Sequence, residues 1–187
     1  MIDPVNITNF KLSRAELEEM LLFWVCAAGK NAITASKSLD RLLTIIEGHS
    51  HPFAAIQAYG QSQLAQLLKS CGIGCFNNKA KTFWQLADSD LNLRKCSADD
   101  LERIHGIGRK TSRCFIMHSR RKARCAGLDV HILHYLNDQG YTVPKVTPSS
   151  HKEYSRVENI FLELADKSGQ STAEFDLSIW KKYSGRD

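Results

Sequence analysis

Apolar residues recur along this chain at helical rather than strand spacing. Leu17, Met20, Leu21, Trp24 and Val25 fall on one face of a helix that Ser13 and Glu16 can open as a capping box and that should run through Ala27. Gly29-Lys30-Asn31 breaks the pattern, and Ile33, Leu39, Leu42, Leu43 and Ile46 renew it over 32–47. A loop and a short helix fill 48–60, with Pro52 suited to a first helical turn. Leu64, Leu67 and Leu68 mark a helix over 62–70, and after the turn at 71–76 another covers 77–87. Asp99 or Asp100 opens a short helix, a second begins after Gly108, and a third covers 127–137 with Asp129 at or near its N-cap. Past a loop holding Pro144 and Pro148, two core-facing stripes predict helices over 151–166 and 172–183: Tyr154, Val157, Ile160, Phe161 and Leu164, then Phe175, Leu177, Ile179 and Trp180. No stretch alternates and nothing repeats, so the expected fold class is all-α.

Composition adds bounds. A chain of 187 residues has room for one core or for two small lobes sharing a cleft. Hydrophobic residues at 43% and charged ones at 24% fit an ordinary globule, and a net charge of +5 suits a polyanionic partner without establishing one. The six cysteines are scattered, with no two pairs at zinc-ligand spacing, and His49 with His51 on a loop does not change that. They read as reduced thiols, and neither metal nor cofactor is expected. The longest apolar run, 20–28, is too short to span a bilayer and follows Glu16, Glu18 and Glu19 instead of a basic segment. The expectation is a monomeric protein without membrane contact, cytoplasmic or nucleoid-associated through its ligand.

The candidate chemistry gathers at 101–112. Leu101, Ile104 and Ile107 can anchor one side of a tight hairpin in which Gly106 and Gly108 allow backbone angles and close approach that a Cβ forbids. A helix starting just after Gly108 points its unpaired amides and positive dipole end out of that turn, which makes a seat for phosphate. Arg113, Arg120, Arg121, Lys122 and Arg124 follow as the densest basic stretch of the chain, the better reading of which is neutralisation of a nucleic-acid backbone.

The string Gly106-Ile107-Gly108-Arg109-Lys110-Thr111-Ser112, followed by Asp129-Val130-His131-Ile132, resembles the helix-hairpin-helix DNA glycosylases that also cut the strand, enzymes of the endonuclease III type. Many of these carry a four-cysteine iron–sulfur cluster near the C-terminus, whereas no cysteine follows Cys125 here. Val143-Pro144-Lys145, Tyr154 with Glu158-Asn159-Ile160, and Phe175-Asp176-Leu177 with Ile179-Trp180 are similar to strings of the compact, cluster-free 8-oxoguanine DNA glycosylases of archaea and some bacteria. In those enzymes a C-terminal lysine beyond the position of Asp187 helps grip the damaged base, and this sequence ends at Arg186-Asp187.

The resemblance implies a bifunctional glycosylase and abasic-site lyase acting on double-stranded DNA. Lys110 would attack C1′ of an everted nucleotide, expel the base and form a Schiff base from which β-elimination nicks the strand, while Asp129 steadies the oxocarbenium-like sugar. Burial near a helix N-terminus is expected to lower the lysine pKa. Gly106, Gly108, Arg109 and Thr111 would hold the DNA backbone. Phe76 and Trp180 are candidates to stack on bases, Lys30 or Asn31 to fill the gap left by the everted base, and Lys79 and Lys81 to meet phosphates. The implied architecture is a bundle over 29–115 ending in the hairpin, and a second lobe made of 1–28 plus 116–187, with DNA across the cleft between them. Two alternatives stay open: the same chemistry on another lesion, such as an oxidised pyrimidine, and a DNA-binding module without catalysis.

Overall fold

A computed structural model describes residues 1–184, so Arg186 and Asp187 lie outside the described residues. Among those described there are ten α-helices and no strand. After a 3₁₀ turn at Pro4–Asn6 the helices are α1 Arg14–Ala27, α2 Ala32–Ile45, α3 Pro52–Tyr59, α4 Gln61–Ser70, α5 Phe76–Asp88, α6 Ala98–Glu102, α7 Arg109–Ser119, α8 Val130–Asp138, α9 His151–Ser168 and α10 Thr172–Tyr183. None of these is long and apolar enough to cross a membrane.

Capping residues fix most of the starts. Ser13 and Glu16 form the reciprocal capping box of α1, and Ser171 with Glu174 does the same for α10. Ser97, rather than either aspartate, opens α6 in a third box with Asp100. The helix expected from Gly127 starts three residues later, because Asp129 is itself the cap: its Oδ1 accepts from the amides of His131 and Ile132, at 2.9 and 3.1 Å.

Two apolar cores result. The larger takes Ile7, Leu12, the buried face of α1 and residues of α2 through α7, with Leu21, Leu22, Phe23, Leu42, Ile56, Phe83 and Phe115 fully enclosed. The smaller is built by Ala126, Leu128 and α8 to α10 around Leu133, Tyr154, Phe161 and Phe175. The apolar face of α1 packs in the larger core with α2–α7, whereas the resemblance implied a place for 1–28 in the second lobe. Glu18, buried on α1, ties that helix further into the bundle by accepting the Phe53 amide at the otherwise uncapped start of α3.

The cores are joined by polar contacts around α7. Arg113 donates to Glu102 of α6 at 2.5 Å and to Glu158 of α9 at 3.1 Å, with its guanidinium over the Tyr154 ring. Glu158 also accepts the Ala126 amide, while the Tyr154 hydroxyl donates to the Ala126 carbonyl and accepts from the Leu128 amide. The extended segment leading into Asp129 is thus held by three side-chain contacts from α9. Of the expected basic stretch, Arg113 is spent here, Arg120 donates to the Leu93 carbonyl, and Arg124 grips Asp166 with two bonds of 2.9 Å. These arginines fasten the fold instead of lining a nucleic-acid track.

Candidate active site

Gly106 and Gly108 do different things in the hairpin. Gly106 has φ +80°, and a Cβ there would meet Thr82 Oγ1 at 2.6 Å, so its bareness serves a turn packed on α5. Gly108 is extended, has open space beside it, and caps α7 with no side chain over the first amides of the helix. The uncapped amides that the sequence offered as a candidate phosphate seat are therefore those at the start of α7, behind Gly108. Arg109 turns away from it to donate to the Ser149 carbonyl, and Thr111 is buried facing inward.

Inward from that start lies a cavity of about 710 Å³ between α1, α7, α10 and the cap of α8. That size suits a small-molecule or nucleotide site. Lys110, Thr111, Cys114 and His118 line it from α7; Asp129, Val130 and His131 from the α8 cap; Asp176, Leu177 and Trp180 from α10; Trp24 from α1. Lys110 and Asp129, far apart in sequence, share this one pocket. Asp129 has given Oδ1 to the helix cap, which leaves Oδ2 for a ligand.

Helical spacing explains the lining. Lys110, Cys114 and His118 are successive fourth residues on one face of α7, and Asp176 and Trp180 are one turn apart on α10. Lys110 Nζ lies 5.2 Å from the centroid of the Trp24 ring, and the His118 ring stacks on Trp24 at 5.3 Å with 17° between the planes. His118 is fully buried, with Nδ1 2.8 Å from Thr8 Oγ1 and Nε2 3.3 Å from Asp176 Oδ2. Gly127 passes so close to Cys114 that a Cβ there would collide with its sulfur.

The electrostatics differ from expectation. Burial pushes the Lys110 ammonium toward deprotonation, but Cys114, Asp129 and Asp176 favour the charged form, and the balance lies above the ordinary lysine value. Burial also lifts the Asp176 carboxyl, only partly opposed by His118 and Lys110, and pushes the Cys114 thiol up to about 12, so that it is uncharged at neutral pH. The free site accordingly holds a lysine cation facing Asp129 and Asp176.

Other expected site residues lie elsewhere. Phe76 is half-buried at the start of α5, packed on the larger core with Lys69 over its ring, and does not reach the pocket. Asn31 caps α2 through its side-chain oxygen, and the Lys30 stem crosses Gly74, although both residues stand at the mouth of the cavity. Lys79 is buried and donates to the Cys26 carbonyl at 2.8 Å, which caps the end of α1 and takes it away from any phosphate. Among the described residues no group of three His, Cys, Asp or Glu is placed to hold a metal ion.

No protein-family model matches the chain. Solved structures do. The 8-oxoguanine DNA glycosylase of Methanocaldococcus jannaschii superposes with a TM-score of 0.73 at 22% identity, over 96% of this chain and 84% of that one. The same organism's 8-oxoguanine glycosylase/lyase in complex with a 15mer DNA containing 8-oxoguanine gives 0.72 at 22% identity, over 94% and 84%. The 8-oxoguanine DNA glycosylase of Thermotoga maritima gives 0.70 at 25% identity, over 91% and 81%. The chain has the 8-oxoguanine DNA glycosylase fold. Its Lys110, Asp129 and Trp180 stand around one cavity of that fold, and sequence reasoning had named all three. It missed Cys114, His118 and Asp176, whose fourth-residue spacing from Lys110 and Trp180 was the available signal, and Trp24, which lies on a distant helix and carried none.

Proposed function

We propose that the protein is a DNA glycosylase and abasic-site lyase that removes 8-oxoguanine through a Schiff base on Lys110. The observation that carries this reading is the shared cavity of Lys110 and Asp129 directly behind an uncapped helix N-terminus. A strand phosphate seated at Gly108 brings the adjoining sugar to the mouth of the cavity, and eversion of that nucleotide delivers C1′ to Lys110. The superposed Methanocaldococcus and Thermotoga proteins are 8-oxoguanine DNA glycosylases, one of them bound to DNA containing that base, which supports the choice of lesion.

The steps follow from the residues. Lys110 first gives up its proton to solvent, and exclusion of water by bound DNA disfavours the buried cation, leaving the Asp129 and Asp176 carboxylates charged. The free amine attacks C1′, the bond to the base breaks with its electron pair going to the base, and Asp129 Oδ2 steadies positive charge on the sugar. Ring opening leaves a protonated imine between Nζ and C1′. Loss of a proton from C2′ then expels the 3′ phosphate, which nicks the strand. Trp180 offers a stacking face for the everted base, and the Asp176 carboxylate one turn away can accept from purine N–H groups in the plane of the ring.

Borohydride trapping on duplexes bearing 8-oxoguanine, thymine glycol or an abasic site tests the reading. A covalent adduct on the 8-oxoguanine and abasic duplexes that is lost in Lys110→Gln is the expected result. Trapping on thymine glycol in preference to 8-oxoguanine would move the lesion class, and tight binding without adduct or nick on any of the three would overturn the enzymatic reading.

A further inference from the structure

His118 is a fully buried histidine whose two ring nitrogens both meet polar side chains from outside its own helix. A carboxylate can only accept, so the nitrogen 3.3 Å from Asp176 Oδ2 carries the ring proton, and Nδ1 accepts from the Thr8 hydroxyl at 2.8 Å. The leader, held also by the Asn9 amide on the His118 carbonyl, thus fixes the tautomer that faces Asp176. Among the described residues Nε2 makes no aligned hydrogen bond, and Asp176 Oδ2 at 3.3 Å is the acceptor within its reach. The ring face does separate work, stacking on the Trp24 indole that lies under the Lys110 ammonium.

From this arrangement we infer that His118 is a positioning residue for base recognition: its Nε2–H orients the Asp176 carboxylate toward the everted purine, while Thr8 locks the tautomer that does so. The inference rests on the reading of the pocket as a glycosylase site. A carboxylate on α10 with no such partner would be free to swing away from Asp129, which repels it, to the Lys110 cation. Tethered by His118, it stays an acceptor for the N–H edge of a base stacked on Trp180, one turn along the same helix face. The nitrogens of His118 therefore matter when a base is present. The ring matters for Trp24 and Lys110 whether or not a base is present.

The substitution that separates these roles is His118→Phe, which keeps an aromatic ring against Trp24 and removes both nitrogens. Two substrates are compared under single-turnover conditions: a duplex containing 8-oxoguanine, read by release of the base, and a duplex with a preformed abasic site, read by strand nicking and borohydride trapping. Expected is a loss on the order of ten-fold in base release, the size of one forfeited hydrogen bond to a charged group, with nicking of the abasic duplex within about two-fold of the parent protein. Thr8→Val, at a half-buried position and with no change in pocket shape, should shift the same ratio in the same direction by less, and it serves if the buried histidine substitution fails to fold. Equal losses on both substrates, or base release at the parent rate in both variants, would overturn the assignment while leaving Lys110 chemistry intact. A parent protein that forms no adduct on the abasic duplex would instead overturn the reading of the site, and this inference with it.

Discussion

Lys110 has to be a base before it can be a nucleophile, yet its surroundings hold it as a cation. Burial alone would depress its pKa, but Cys114, Asp129 and Asp176 more than cancel that effect. Because the amine is released only as pH climbs toward a raised value, adduct formation should increase steadily from neutral to mildly alkaline pH. Asp176→Asn removes one of the negative neighbours, so the rising limb should move to lower pH; an unshifted limb would deny the two groups their coupling. The same substitution should raise Tm at neutral pH. Burial lifts the Asp176 pKa above its unfolded value, so ionising the carboxylate costs folding free energy at any pH above 3.8, and a neutral amide escapes that cost. Below both values the carboxyl is uncharged in the folded and unfolded chain alike, and the difference in Tm from this source should vanish. Asp129→Asn is a contrasting case: asparagine caps a helix as well as aspartate does, so stability and DNA affinity should hold while base release falls by ~100-fold or more. Retention of turnover would remove Asp129 from the mechanism.

At the scale of elements, the hairpin glycines separate folding from binding. Gly106→Ala places a Cβ against Thr82 at a positive φ and should cost about 1–3 kcal/mol of stability, measured by urea unfolding. Gly108→Ala meets open space at an ordinary φ, so its urea midpoint should barely move, whereas DNA affinity should fall because the methyl stands where the strand approaches. Equal effects of the two substitutions would contradict this division. Periodicity placed nearly all of the helices and most of their starts, and Ser13 with Glu16 marked the first of them as a capping box. It could not show that Lys79 turns inward to cap α1, or that Arg113, Arg120 and Arg124 are consumed by Glu158, Leu93 and Asp166, because those partners are distant along the chain. Lys110 and Asp129 were legible as candidates from motif and spacing, while His118 and Asp176 come to line the same cavity only once α7 and α10 face each other.

For the whole molecule, the pocket depends on how two cores are stitched together across α7. Tyr154 sits at that seam: its hydroxyl satisfies both the Leu128 amide and the Ala126 carbonyl just before Asp129, and its ring lies under Arg113. Tyr154→Phe leaves the buried Leu128 amide unpaired and should cost about 1–3 kcal/mol in urea unfolding, with a fall in turnover as the Asp129 segment loosens. A wild-type rate in that variant would mean that the cap of α8 alone fixes Asp129. The central claim is that one lysine, at the start of α7, forms the bond to the sugar. Its most direct test is to trap the protein on an 8-oxoguanine duplex with borohydride, digest the adduct and locate the modified residue by mass spectrometry. The account predicts the sugar remnant on Lys110 alone; a remnant on Lys30 or any other lysine, with Lys110 unmodified, would contradict it.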